Sequence, residues 1–265
     1  MAWFYLIING ALLGIAAWFG ARTRSFKTPR LVLCLLAAAA LMALRMFLHA
    51  RPEYEQYLLL LSDDYVYFTT WEVPLVVLMA VALAVRLQSK RARRLVTLSL
   101  VLLAPLFLWD SFSACFQPDY AMAAQFDRNG VCRQATSYSC GPAAGVTLMK
   151  HLGTTMSEGE MAKLCVLKPG KGVTVIELCR GLNIALRRRG RGASVRQFAR
   201  SQLDDIPVPF LAEIRREGSP DHCVVVLAVL EDCVIVADPA IGQLAEDRAR
   251  FLRDWSGVAI TTEPR

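Results

Sequence analysis

The apolar residues of this chain are concentrated before about residue 112. Hydrophobic residues make up 55% of the 265 residues, more than is usual for soluble domains, and most of the excess lies in this first part. Four stretches there have the length and composition of membrane helices: Trp3–Gly20, Leu31–Leu48, Trp71–Leu87 and Leu95–Trp109. The chain is therefore predicted to begin with an all-α membrane region of about four transmembrane helices, residues 1–112.

Charges in the loops predict the orientation of these helices. The loop after the first stretch is basic, with Arg22, Arg24, Lys27 and Arg30. The loop between the third and fourth stretches is also basic, with Lys90, Arg91, Arg93 and Arg94. The loop between the second and third is acidic, with Glu53, Glu55, Asp63 and Asp64. Cytoplasmic loops carry an excess of Lys and Arg. Both termini are thus expected on the periplasmic side of a bacterial inner membrane. A cytoplasmic C-terminal domain is the alternative, and it requires that one stretch does not cross.

Residues 113–265 have the mixed composition of a globular domain. Helical periodicity and a Thr cap predict three helices, at Gly141–Leu152, Ser157–Cys165 and Thr174–Arg187. Four runs rich in β-formers follow, at Val195–Phe198, Val208–Ile214, His222–Val229 and Cys233–Ala237. Helices followed by strands predict an α+β domain with an antiparallel sheet.

The segment Gln134–Gly145, with the sequence QATSYSCGPAAG, contains a candidate nucleophile. Cys140 lies at the start of a predicted helix, and a helix N-terminus stabilises a thiolate. Gly141 is expected to leave room for a substrate carbonyl. Gln134, six residues before the cysteine, can donate its side-chain amide to the oxyanion that forms on that carbonyl. A buried structural thiol is the alternative, and the helix start, the small residues and Gln134 argue against it.

A candidate general base lies in the predicted hairpin of the last two strands. A turn centred near Glu231 places His222 opposite Ala240, so Asp238 is diagonal to His222 on the same face. Asp238 can then orient the imidazole while the other ring nitrogen faces Cys140. A solvated histidine at the rim is the alternative. The residues favour a cysteine peptidase with Cys140 as nucleophile, His222 as base, Asp238 as orienting residue and Gln134 as oxyanion donor.

From about Cys132 to Thr262 the chain resembles the bacteriocin-processing peptidase family, papain-like cysteine peptidase domains that remove double-glycine leaders and are often fused to ABC exporters. The resemblance is carried by four motifs: Q-x5-C-G-P-A-A at Gln134–Ala144, H-x-V-V-V at His222–Val226, D-P-x-x-G at Asp238–Gly242 and W-S-G-V-A at Trp255–Ala259. It implies a papain-like fold, the same four catalytic roles, a final strand at Trp255–Ala259 and cleavage after a Gly-Gly pair.

The chain also departs from the exporter-fused members of that family. It contains no Walker A sequence, so it is not expected to be an ABC exporter itself. The expected partners are a substrate with a Gly-Gly-type leader, the lipid bilayer and a separate exporter. The exporter-fused members keep the peptidase in the cytoplasm, whereas the loop charges here place it outside. A substrate processed during or after translocation is therefore expected.

Other functional classes are less favoured by the sequence. No cofactor or metal is predicted, because no Cys/His spacing is typical of zinc. The basic run Arg187–Arg196 is interpreted as a solvated helix end and not as a nucleic-acid site. Six cysteines besides Cys34 and Cys140 are compatible with disulfides or with free thiols. Two alternatives stay open: a non-catalytic leader-binding accessory protein, and a cysteine amidase acting on cell-wall peptide, because a catalytic triad defines acyl chemistry but not the acyl donor.

Overall fold

The computed structural model describes residues 2–61, 72–115 and 120–264, and side chains at 7–59, 73–103 and 120–264. The chain divides into two compact units. One unit is Met1–Arg51 with Leu61–Phe116, and the other is Pro52–Leu60 with Gln117–Arg265. The short segment 52–60, which lies between two predicted membrane helices, thus belongs to the same unit as the C-terminal domain.

The described residues up to Cys115 form helices: α1 (Ala2–Arg22), α2 (Thr28–Ala50), α3 (Pro52–Glu55), α4 (Tyr57–Leu61), α5 (Glu72–Ala84) and α6 (Lys90–Cys115). The four predicted stretches coincide with α1, α2, α5 and α6. Trp71, the predicted start of the third stretch, lies outside the described residues. Helix α6 begins before the apolar run because Lys and Arg are good helix formers.

One of these helices has the length and composition of a membrane span over residues that the structure describes. This is α2, and the apolar part of α5, Val73–Ala84, is shorter. Both α1 and α6 include positions whose side chains lie outside the described part. A membrane region of four spanning helices therefore remains a prediction, supported by length and composition at α2 alone.

The C-terminal domain contains the three predicted helices, each within one residue of its expected ends: α7 (Cys140–His151), α8 (Glu158–Leu164) and α9 (Val175–Leu186). Capping boxes start α8 at Ser157 and α9 at Thr174, and such boxes bind two backbone N–H groups that the first helical turn cannot satisfy. A further helix, α10 (Arg248–Asp254), was not predicted, because its seven residues are too few for a periodic pattern.

Strands β1 (Gln125–Phe126) and β2 (Cys132–Arg133) form a small antiparallel ladder before α7. The other strands form one six-stranded antiparallel sheet in the order β3-β8-β4-β5-β6-β7. Their bounds are β3 (Arg191–Gln197), β4 (Phe210–Ile214), β5 (His222–Val229), β6 (Cys233–Asp238), β7 (Gly242–Asp247) and β8 (Trp255–Pro264). The prediction of an α+β domain with an antiparallel sheet is confirmed.

The sheet extends beyond the predicted strands at its edges. Strand β3 begins at Arg191 instead of Val195, and β7 was not predicted at all. Both are edge strands with many half-buried or exposed residues, so neither has the alternating apolar pattern by which half-buried strands are recognised. Strand β8 includes the final strand that the family resemblance implies, and it lies inside the sheet between β3 and β4.

The β5–β6 hairpin has the predicted register at the end that matters for the site. Val225 pairs with Ala237. The same register extended by three residues places His222 opposite Ala240, as expected. Nearer the turn the register shifts by one residue, between Val226 and Ala228. This irregularity does not change the relative positions of His222 and Asp238.

Helix α7 is buried along most of its length and packs against β5. Its small residues allow close approach of neighbouring segments. A Cβ on Gly141 would lie 2.4 Å from Val173 Cγ2, and one on Gly145 would lie 3.3 Å from the Met161 side chain. Gly141 therefore has a packing role, because its missing side chain accommodates Val173. The expectation that it also leaves room for a substrate carbonyl stays a prediction.

Candidate active site

His222 and Asp238 are brought together by the β5–β6 hairpin. His222 is the first residue of β5 and Asp238 is the last residue of β6. His222 Nε2 lies 2.8 Å from Asp238 Oδ1, which also accepts the N–H of Ala240 at 2.7 Å. The carboxylate is buried, with 4% of its side chain exposed, against 21% for His222. Asp238 thus orients the imidazole ring and leaves Nδ1 available to a third residue.

That third residue is Cys140, the first residue of α7. Its thiol is hydrogen-bonded to the His222 side chain and to the backbone N–H groups of Cys223 and Gly141. Burial alone would raise the pKa of Cys140, but these hydrogen bonds outweigh burial and lower it. The structure therefore unites Cys140, His222 and Asp238, as the sequence predicted.

The protonation of His222 is set by the same contacts. Burial would lower the pKa of His222, whereas its hydrogen bonds to Asp238 and Cys140 raise that pKa to about 9. Burial would raise the pKa of the Asp238 carboxyl, yet the hydrogen bonds from His222 and from the N–H groups of Ala240 and Ile241 lower that pKa. These contacts favour a thiolate at Cys140 beside an imidazolium at His222, which the Asp238 carboxylate holds in place.

Other cysteines of the domain have the opposite character. The seven cysteines whose side chains are described are free thiols. Burial raises the pKa of Cys132 to about 12, with a smaller contribution from Glu158, and burial also raises the pKa of Cys165 and Cys223. These thiols are protonated at neutral pH, whereas the contacts of Cys140 lower its pKa and favour its thiolate form.

Gln134 is linked to the other site residues through its loop. Its backbone N–H donates to the carbonyl of Pro239 at 3.0 Å, which ties it to the residue after Asp238. Its side-chain Nε2 donates to the carbonyl of Thr136 at 2.8 Å. Since the amide carries two N–H groups, one remains for a substrate oxyanion. The oxyanion role of Gln134 stays a prediction.

Glu158 is a residue of this region that no sequence motif indicates. It is fully buried in the first turn of α8, and both of its carboxylate oxygens accept the N–H of Ala135, at 3.1 and 3.2 Å. It also has a side-chain hydrogen bond with Ser139. The sequence shows only a capping box at Ser157 and Glu160, and nothing in that pattern distinguishes Glu158 from a solvated first-turn carboxylate.

A thiolate paired with an imidazolium that a carboxylate orients is the nucleophilic arrangement of cysteine hydrolases. Residues 128–265 match the model of the Peptidase C39 family. The chain therefore belongs to the Peptidase C39 family, and the predicted family resemblance is confirmed.

Three relatives each match about half of the chain. An uncharacterized protein of Methanothermobacter marburgensis is 32% identical over 133 residues, which are 50% of this chain and 87% of that protein. The mesentericin-Y105 transport/processing ATP-binding protein MesD of Leuconostoc mesenteroides is 27% identical over 134 residues, 49% of this chain and 18% of that protein. The peptidase domain of Streptococcus ComA, a bi-functional ABC transporter, is similar with a TM-score of 0.45, 22% identity, and coverage of 50% of this chain and 96% of that domain.

Proposed function

We propose that this protein is a membrane-anchored cysteine endopeptidase that cleaves an exported peptide or protein after the Gly-Gly site of a leader. The observation that carries the proposal is the contact of Cys140, at the start of α7, with the His222–Asp238 pair. Such a contact supplies a nucleophile, a proton donor and an orienting carboxylate in one place.

The chemistry follows from the protonation states of these residues. The Cys140 thiolate attacks the carbonyl carbon of the second glycine, and His222 gives its proton to the leaving amine as the peptide bond breaks. Neutral His222 then removes a proton from water, which attacks the thioester and releases the leader and the thiolate. Asp238 holds the imidazole throughout, and Gln134 donates to the oxyanion of each tetrahedral intermediate.

The Gly-Gly specificity rests on the family relationship. A relative with 27% identity over 134 residues is a mesentericin-Y105 transport/processing protein, and the catalytic motifs resemble those of peptidases that remove double-glycine leaders. Glycine has no side chain, so a cleft that admits only glycine next to the scissile bond can be narrow and still bind the backbone closely.

Full-length protein in detergent is expected to cut a peptide of the leader type once, after Gly-Gly, because Cys140 is already activated in the free protein. Product masses identify the bond, and Cys140→Ala is the matched inactive control. Binding of the leader without any cleavage would favour the accessory-protein alternative. Hydrolysis of cell-wall peptides with no cleavage of Gly-Gly peptides would favour the amidase.

Gln134→Ala is expected to lower kcat by about a hundredfold and to leave KM nearly unchanged, because the amide meets a charge that exists only in the transition state. Steady-state rates over a range of peptide concentrations separate the two constants. A higher KM with an unaltered kcat would make Gln134 a substrate contact and remove it from the oxyanion site.

The membrane orientation is supported by a hydrogen-bonded pair within the C-terminal unit. The side-chain amide of Gln56 donates to the carbonyl of Val195 at 2.6 Å and accepts the N–H of Val195 at 2.7 Å. This contact supports an arrangement in which the loop that contains Gln56 and strand β3 lie on the same side of the membrane. Such an arrangement needs an even number of crossings by α5 and α6, and two crossings agree with the basic loop between these helices.

Reporter fusions after about Asp110 are expected to be active with alkaline phosphatase, which needs the periplasm, and inactive with β-galactosidase, which needs the cytoplasm. The physical reason is the retention of the two basic loops on the cytoplasmic side. Fusions in the loop at about Ser89 should give the reverse pattern and act as the control. An active β-galactosidase after Asp110 would place the peptidase in the cytoplasm.

A further inference from the structure

The loop from Gln134 to Cys140 carries two groups that the proposed reaction needs, the Gln134 amide and the Cys140 thiolate. The buried Glu158 carboxylate binds this loop near both ends. It accepts the N–H of Ala135, the residue after Gln134, and is hydrogen-bonded to Ser139, the residue before Cys140. A single side chain thus links the neighbours of both reactive groups.

The middle of the loop is held by the same set of contacts. Ser139 Oγ accepts the N–H of Thr136 at 3.0 Å, and its one hydroxyl proton is shared between the Thr136 carbonyl, 3.1 Å away, and the Glu158 carboxylate. That carbonyl also accepts the Gln134 side-chain amide. A change at Glu158 therefore reaches Gln134 through two routes, the backbone of Ala135 and the Ser139–Thr136 pair.

The environment of Glu158 is unusual for a group with a purely structural role. Its side chain is fully buried, and the partners that stabilise its charge are a backbone N–H and a hydroxyl. Burying a charged group without an opposite charge is costly, and burial raises the pKa of Glu158 despite these hydrogen bonds. An apolar residue would fill the first turn of α8 at lower cost but would leave the N–H of Ala135 without a partner.

We propose that Glu158 is a positioning residue that fixes the geometry between the Gln134 amide and the Cys140 thiolate by binding the loop at Ala135 and Ser139. This inference rests on the proposed cysteine peptidase function. The contacts of Glu158 described above are with Ala135 and Ser139, so it is proposed to act through the loop. A misplacement of about 1 Å in such a site lowers the rate by about a hundredfold, so the contribution is large although indirect.

The test compares Glu158→Leu, which removes the acceptor of the Ala135 N–H and keeps a similar side-chain volume, with Glu160→Gln in the full-length protein. The second variant removes the same charge two residues away on the exposed side of α8, and Gln preserves the capping box. Glu158→Leu is expected to lower kcat by about 10- to 100-fold with KM within about twofold of wild type. Because the Cys140–His222 contact is untouched, the rate of iodoacetamide modification of Cys140, read by peptide mass spectrometry, should stay within about twofold. Glu160→Gln should match wild type in every measurement.

Hydrogen exchange of the peptide covering residues 134–139 gives a readout that needs no substrate. Faster exchange of this segment in Glu158→Leu, with unchanged exchange in α7 and α9, is expected. Unaltered kcat together with unaltered exchange would overturn the inference, as would an equal fall of kcat, Cys140 modification and thermal stability. If Glu158→Leu does not fold, Glu158→Asp, which keeps the charge but shortens its reach, is measured in the same way. If Cys140 of the wild-type protein reacts with iodoacetamide but the protein cuts no Gly-Gly peptide, the proposed function fails. The hydrogen-exchange data then still decide whether Glu158 holds the loop.

Discussion

His222→Ala is expected to abolish turnover of a Gly-Gly peptide, with a loss of at least about 10³-fold in kcat. The variant removes the proton donor for the leaving amine and the hydrogen bond that keeps Cys140 ionised. Rates of product formation, and of iodoacetamide modification of Cys140 at about pH 6.5, both measure the effect. His151→Ala is the control, since His151 lies at the far end of α7. Wild-type activity in His222→Ala would remove this histidine from the mechanism.

Asp238→Asn is expected to reduce activity less than His222→Ala, because a carboxamide orients the histidine in papain-like triads. Its clearest effect is on pH dependence. The active form needs Cys140 deprotonated and His222 protonated, so wild-type activity should decline on the alkaline side near the His222 pKa of about 9. Asp238 raises that pKa, so Asp238→Asn should move the alkaline limb to lower pH. An unmoved limb in the profile of kcat/KM against pH would contradict the proposed pairing.

A Gly→Leu change immediately before the scissile bond of the substrate is expected to lower kcat/KM by more than about a hundredfold. A cleft shaped for glycine has no volume for an isobutyl group, and forcing it in costs about 3 kcal/mol of transition-state binding. Competition between the two peptides in one reaction, with products separated by mass, measures the ratio directly. A Gly→Leu change well outside the Gly-Gly pair is the control. Equal rates for both peptides would leave a cysteine peptidase without the proposed specificity.

Local patterns predicted the parts of the domain that are built from neighbouring residues. Helices α7, α8 and α9 were predicted within one residue because caps and apolar periodicity operate over a few positions. The His222–Asp238 pair was predicted because a hairpin with a short turn determines which residues share a face. The register shift between Val226 and Ala228 was not visible in the sequence, but it lies on the turn side of this pair.

The sequence by itself determined the family and predicted that Cys140, at the start of a helix, meets His222 and Asp238 of one hairpin. Only the tertiary structure decided which segments meet these elements from a distance. It placed β8 between β3 and β4, joined Gln56 to Val195 across 139 residues, and buried Glu158 against the loop before Cys140. The physical reason is that such contacts depend on how whole elements pack, and a buried carboxylate and an exposed one look the same in a sequence until their neighbours are known.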